Sequence, residues 1–526
     1  MRTVNKNYKH MKKLLIVLLL MPALFSAAQT APQKREKKSK TDAGTFAKTI
    51  TADDLKKHLY IVAGKEMEGR ETATPGQKKA AAYIEDQFRS LGLTPGNHGD
   101  YQLQYPVYQD SLTNTSIEIN GKTFDLDKDF SVNVGQTSPS VYRFSEIVFV
   151  GNGVVDSARD DYKGLDVRGK AVLLLPAPAP QGQGQGRGGF GNQFARIDAA
   201  QKNGAVAVLV IGTNFPRQQK TNPKGNMYLS AFQRVIRPNQ FQVSEQIAQA
   251  IMGNDYATAK SGTIVPKTYT ANLMLSFNKA TTNLQSSDVL GVLEGTDLKD
   301  EYVFVTGHYD HLGKRGDSII YYGADDDGSG TVSVLEIAEA FTKAKAAGNG
   351  PRRTMIFMTV SGEEKGLWGS QYYTEHPVFP LEKTTVDLNI DMIGRIDASR
   401  KQGDSTNYVY VVGDDKVSTD LKPISEAVNK KYTRMELDYK FNDPKDPNRI
   451  YFRSDHYNFA RKGVPIIFYY DGMLGADYHR PTDTPDKIYY DLLAKRAQLV
   501  FYTSWEMANR NDMLKRDIPL DAPRGF

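Results

Sequence analysis

The sequence predicts an α/β fold, a mainly parallel mixed sheet flanked by helices, with a smaller β-rich segment inserted. Three observations predict it. From about residue 270, apolar runs of strand length alternate with amphipathic stretches of helix length, as in a sheet covered on both faces. Residues 145–265 hold further strand-length apolar runs but no His, and read as a small separate unit without catalytic groups. The chain has 526 residues, 40% hydrophobic and 24% charged, the composition of a globular protein with room for more than one core.

Taken in order, the chain opens with Lys12 and Lys13 before the apolar run 14–20, followed by Ser26 and Ala28 ahead of Gln29. This is the n-, h- and c-region pattern of a signal peptide over 1–28, which implies export to the periplasm or beyond. The apolar run falls short of the ~20 residues a membrane span needs, so no membrane anchor is expected. Residues 29–48 are polar and Lys-rich, and are expected to be a disordered lead-in. Residues 1–48 carry a formal charge of +9 and the remainder −3, so the globular part has no nucleic-acid footprint. The absence of cysteine excludes disulfides, thiolate metal sites, a cysteine nucleophile and a lipoprotein anchor.

Thr51 and Asp54 form a capping-box pattern at a helix start. Pro75 opens a second helix whose apolar face is Ala80, Tyr83, Ile84, Phe88 and Leu91, and Gly92 ends it. Runs 147–150, 171–175 and 205–211 are expected strands. The Gly/Gln-rich tract 181–191 is expected to be a mobile loop, since no Gly-Lys-Ser/Thr follows to make it a phosphate cradle. Helix-like spacing then covers 194–203. Beyond it, 289–293, 302–306, 354–360, 386–390, 409–412 and 464–470 are expected strands, and 331–341, 421–431 and 488–508 helices.

The chemistry-bearing residues cluster at strand ends. His308 and Asp310 follow the strand 302–306, and Asp325, Asp326 and Asp327 precede Gly328-Ser329-Gly330 and a helix. Glu363 and Glu364 follow 354–360, Asp391 follows 386–390, and His479 lies in a turn after 464–470. Ligands of open parallel sheets bind beyond the carboxyl ends of strands, so these groups are expected to converge. Adjacent carboxylates repel unless cations neutralise them. Two His and three carboxylates suit two Zn²⁺ ions with one shared ligand; Ca²⁺ would prefer oxygen alone.

His308-Tyr-Asp310, Gly323-Ala-Asp-Asp-Asp-Gly-Ser-Gly330, Gly362-Glu-Glu364, Asn389-Ile-Asp391 and Tyr478-His479 resemble the ordered motifs of the double-zinc aminopeptidase family. That family includes secreted bacterial leucyl-type aminopeptidases, glutamate carboxypeptidase and the transferrin receptor. The resemblance covers about 285–510, extends to the lead 50–135 through Glu68-Gly-Arg70, and makes 140–265 similar to an inserted protease-associated domain. It implies a zinc-exopeptidase fold with 49–139 and 266–526 as the two parts of the peptidase domain. It implies His308 and Asp391 on one zinc, Glu364 and His479 on the other, and Asp326 bridging, its bond to Asp327 cis. Glu363 would be the general base, Asp310 the acid that orients His308, and Tyr478 the stabiliser of the oxyanion.

Other residues receive plainer readings. His311 is expected in packing or in an outer hydrogen bond, and His456 in a structural or cleft-lining role. His58, His98 and His376 are expected at the surface, and Tyr469 and Tyr470 in the core or lining the cleft. Ser329 lacks the nucleophile elbow. The expected activity is removal of N-terminal residues from peptide substrates by a two-metal, Glu general-base mechanism. A dipeptidase or glutamate-carboxypeptidase-like exopeptidase is the first alternative, with Arg395, Arg449 and Arg453 as candidate carboxylate binders. A glutaminyl cyclase would use one zinc, and a non-catalytic protein of the transferrin receptor kind would have degraded ligands. A protein contact through the insert remains open.

Overall fold

The computed structural model describes residues 42–176, 188–230, 237–261, 265–475 and 477–519. The expected signal peptide, residues 29–41 of the lead-in and most of the tract 181–191 lie outside them. The lead-in ends earlier than expected: Ala43–Ala47 is helical, Ala43, Phe46 and Ala47 are buried, and Phe46 stacks on Trp505 at 5.8 Å. The charged run before it hides a short apolar patch that joins the core. Thr51 caps the helix Ala52–Val62 through its hydroxyl, which accepts from the Asp54 amide at 3.2 Å. The helix Pro75–Ser90 buries Ala80, Ile84 and Phe88 of the expected apolar face, with Tyr83 and Leu91 half-buried, and Ala81 beside them.

The half that carries the clustered acids and histidines is a doubly covered sheet. Strand Leu298–His308 pairs in parallel with Arg353–Val360 on one side and Thr384–Ile390 on the other. Thr384–Ile390 in turn pairs in parallel with Ile466–Tyr470. Alternate residues of Leu298–His308 serve opposite cores. Val303 and Val305 pack with the helices Gly330–Ala346 and Tyr490–Asn509, whereas Phe304 packs with Tyr373 and Phe459 on the other face. Burial on both faces explains why these strands read as continuous apolar runs. Their carboxyl ends therefore share one rim.

The insert joins this sheet by a feature that local pattern conceals. Lys267–Leu293 is one strand of 27 residues. Near its end it pairs antiparallel with Arg353–Val360; near its start it pairs with Ser140–Phe149, which leads into the parallel strands Ala171–Leu174 and Ala207–Ile211. Along most of its length it pairs with Gln102–Ile119. The two form a ribbon whose middle is polar and half-exposed, so it shows no apolar run. The insert's core draws on residues on both sides of 140–265, including Ile117, Phe130, Leu273 and Phe277. No helix among the described residues is long and apolar enough to cross a membrane.

Candidate metal centre and active site

His308 terminates Leu298–His308, Glu363 and Glu364 lie in the tight turn Glu363–Lys365 after Arg353–Val360, and Asp391 directly follows Thr384–Ile390. The three consecutive aspartates sit in the irregular turn Ala324–Ser329 ahead of Gly330–Ala346, and the Asp326–Asp327 peptide is cis. They take three different jobs. The Asp327 carboxylate accepts from the amides of His308 at 3.1 Å, Gly330 at 2.8 Å and Met392 at 3.0 Å, tying three motifs together. Asp325 accepts from the Gly394 amide at 2.8 Å. Asp326 alone faces the cavity.

Two groups of ligand atoms meet at Asp326. In the first, His308 Nε2 lies 3.3 Å from Asp326 Oδ1 and 3.5 Å from Asp391 Oδ1. In the second, His479 Nε2 lies 3.1 Å from both Asp326 Oδ2 and Glu364 Oε2. His311, expected only in packing or an outer bond, also faces the second group, with Nδ1 2.8 Å from Glu364 Oε1. The missed signal was its placement three residues after His308, on the same strand-end loop. Glu363 lies beside the first group, with Oε2 4.0 Å from His308 Nε2. Asp310 accepts from the Glu363 amide at 3.2 Å. The His308 ring nitrogen Nδ1 sits 3.1 Å from the Asp310 carbonyl oxygen and 3.6 Å from its carboxylate, so the main chain shares in orienting it.

The electrostatics show a site short of positive charge. Burial pushes Glu363 well above the ordinary carboxylate range, with His308 opposing and Glu364 and Asp391 adding. Burial would also favour neutral His308, yet Asp391 and Glu363 hold it well above its usual value. His479 is likewise raised against burial, to about 10, by Asp326 and Glu364. His308 Nε2, Asp326 Oδ2 and Glu364 Oε1 are buried without a hydrogen-bond partner. Orphaned buried donor atoms of this kind, nitrogen and carboxylate oxygen together, fit divalent transition ions.

An N-terminal segment far away in sequence braces the centre. Arg70 is fully buried and donates to the carbonyl oxygens of Tyr309, Val62, Tyr322 and Gly323 at 2.6–2.9 Å. Glu71 pairs with Lys365 at 2.7 Å, and the Thr72 hydroxyl donates to Asp310 at 2.7 Å. Three successive residues thus hold the His308, Asp326 and Glu363 loops. The backbone here is strained, with positive φ at Glu68, Arg70 and Ala73. Gly69, at φ +69, leaves no room for a side chain: a Cβ would lie 2.3 Å from the Gly313 carbonyl oxygen. Gly69→Ala is expected to cost about 2 kcal/mol or more. Urea unfolding measures it, and a loss below about 0.5 kcal/mol would show that the turn relaxes freely.

Beside the ions' expected position, Asp326, Glu363 and Asp391 border a cleft lined by Met392, Ile450, Arg453, Phe468, Tyr470, Leu474 and Tyr478. Tyr478 stacks on the His479 ring at 3.9 Å, and its hydroxyl accepts from Arg453 at 2.8 Å. Arg395 is paired with Asp477 at 2.9 Å. His456 is structural, buried against Phe468 with Nε2 2.8 Å from the Tyr451 carbonyl oxygen. His58 is not a plain surface residue: its ring nitrogens contact Tyr83 at 2.6 Å and Glu336 at 3.4 Å. A more voluminous cavity, about 460 Å³, lies in the insert among residues such as Arg217, Lys220 and Gln240, and none of the acids and imidazoles above lines it.

Residues 288–504, which carry every one of these ligand atoms, match the model of Peptidase family M28. This segment is similar to an M28 peptidase domain. A probable leucine aminopeptidase of Arthroderma otae is 31% identical over 219 residues, 40% of this chain and 56% of that protein. A probable zinc metalloprotease of Pyrenophora teres f. teres is 26% identical over 274 residues, 45% of this chain and 54% of that protein. The chain thus spans about half the length of these curated relatives. The aminopeptidase from Aneurinibacillus sp. strain AM-1 has the same fold, with a TM-score of 0.53 and 21% identity, covering 92% of this chain and 100% of that one. The M28 match ends upstream at residue 288, so the Arg70–Thr72 brace lies outside it.

Proposed function

We propose that this chain is an exported zinc-dependent aminopeptidase that removes N-terminal residues from peptides. The observation that carries the reading is the pair of acid–imidazole groups sharing Asp326 beside a cleft of mixed polar and apolar lining. The M28 match and the names of the relatives support it. His308 and Asp391 would hold one Zn²⁺ and Glu364 and His479 the other, with Asp326 shared. Ions bound there supply Lewis acidity and acidify water. The chain's own residues do the rest. Glu363, beside the first ion's position, would as its carboxylate accept a proton from the attacking water and deliver it to the leaving amine. Tyr478, whose hydroxyl accepts from Arg453, would donate to a developing oxyanion. Met392, Ile450, Phe468 and Leu474 offer an apolar surface to the substrate side chain.

Arg453 favours a second reading, because a guanidinium in the cleft could hold a substrate carboxylate, as a dipeptidase or carboxypeptidase requires. One experiment separates the readings. Elemental analysis should find two zinc ions per chain, chelation should abolish hydrolysis, and zinc should restore it. Aminoacyl-anilides, which carry no carboxylate, should be cleaved, fastest with apolar residues. Cleavage of free dipeptides or C-terminally free peptides alone would favour the second reading. Absence of metal with no activation by zinc would sink both.

A further inference from the structure

We propose that His311 is a direct ligand of the second metal position, which therefore carries two imidazoles, His311 and His479, with Asp326 and Glu364. The inference rests on the metallopeptidase reading above and adds to it a ligand outside the expected five.

The geometry carries it. His311 is fully buried. Its Nδ1 is 2.8 Å from Glu364 Oε1 and 4.0 Å from Asp326 Oδ2. At 2.8 Å a hydrogen bond would be the ordinary explanation, but Nδ1, Glu364 Oε1 and Asp326 Oδ2 all lack a hydrogen-bond partner. The ring does not direct an N–H at the oxygen. Three buried polar atoms drawn this close without a shared proton are costly unless a cation lies between them.

The other ring nitrogen removes the simplest structural explanation. His311 Nε2 is also without a partner. A histidine kept for packing normally satisfies at least one nitrogen, as His456 does with the Tyr451 carbonyl oxygen. The backbone is shaped to seat this ring. Gly323 has φ +58, and a Cβ there would fall 2.5 Å from the His311 Cγ. The His311 amide donates to the Arg70 carbonyl oxygen at 3.3 Å. Glu364 then uses both oxygens, Oε1 toward His311 and Oε2 toward His479. His479 sits on a turn at φ +55 with its side chain 36% exposed, so it is the outer imidazole and His311 the inner one. Two neutral nitrogen ligands and two carboxylates favour late first-row ions such as Zn²⁺ and Co²⁺ over Mg²⁺ or Ca²⁺.

X-ray absorption of the zinc-loaded protein tests this without any substitution. The expected result is three imidazoles shared between two ions; two imidazoles would overturn the inference while leaving the aminopeptidase reading intact. In the cobalt-loaded protein, His311→Gln should remove one paramagnetically shifted imidazole N–H signal. It should also weaken the second ion's binding by more than about 100-fold, beyond the 10–100-fold typical of losing an outer hydrogen-bonding partner. A full set of shifted signals in folded His311→Gln, or a loss of affinity below that range, would overturn it. A protein that binds no zinc at all would overturn both readings.

Discussion

Glu363→Gln is expected to lower kcat by about 10²–10⁴-fold while leaving the metal content of the protein unchanged. The amide keeps size and hydrogen bonding but cannot take a proton. The two adjacent glutamates make the test sharp because the turn Glu363–Lys365 sends them different ways. Glu363 borders the cleft beside His308, whereas Glu364 is flanked by the imidazoles of His311 and His479. Glu364→Gln is therefore expected to weaken the second ion, with partial recovery of rate in excess zinc. Metal stoichiometry and kcat, measured for both variants, decide the matter. Loss of an ion by Glu363→Gln, with both ions retained by Glu364→Gln, would reverse the two roles. Full activity in both would remove the active site from this rim.

Arg70→Met is expected to destabilise the protein by about 3–5 kcal/mol and to weaken both ions together. Four carbonyl oxygens, of Val62, Tyr309, Tyr322 and Gly323, lose their donor at once, in a place water does not reach. Three of those carbonyls, of Tyr309, Tyr322 and Gly323, belong to the segments that carry His308 and Asp326. The charge also matters: burial lowers Arg70 to about 10, and Asp310, Asp327, Asp483 and Asp326 work against that, so the guanidinium stays the cation of an acid-rich interior. Lysine cannot span four acceptors, so Arg70→Lys should recover only a small part. Urea unfolding of the metal-loaded and metal-stripped forms reads the stability, and isothermal titration with zinc reads the affinity. A loss below about 1 kcal/mol with unchanged affinity would mean that the motif loops hold their shape without the brace.

The sequence by itself determined the α/β class, because a sheet buried on both faces must be written as continuous apolar runs, and those runs survive as Leu298–His308, Arg353–Val360 and Thr384–Ile390. It also determined which residues gather: His308, Glu363, Glu364 and Asp391 lie at or just beyond strand ends, Asp326 lies in the turn that opens a helix, and parallel pairing leaves the strand ends one rim to share. Roles within the gathering were legible only where a motif named them. Nothing local distinguishes Asp325, Asp326 and Asp327; which one faces the cavity depends on the amides of His308, Met392 and Gly394, which come from other strands. Nothing local separates a packing His311 from one aimed at Glu364, because the Gly323 turn that seats the ring is distant in sequence. The ribbon of Gln102–Ile119 with Lys267–Leu293 escaped for the same reason. Its polar middle is held by backbone pairing rather than by burial, and hydrogen bonds between distant strands leave no periodic mark on either one. Only the tertiary structure could decide these points, since each is a contact between segments that share no local pattern.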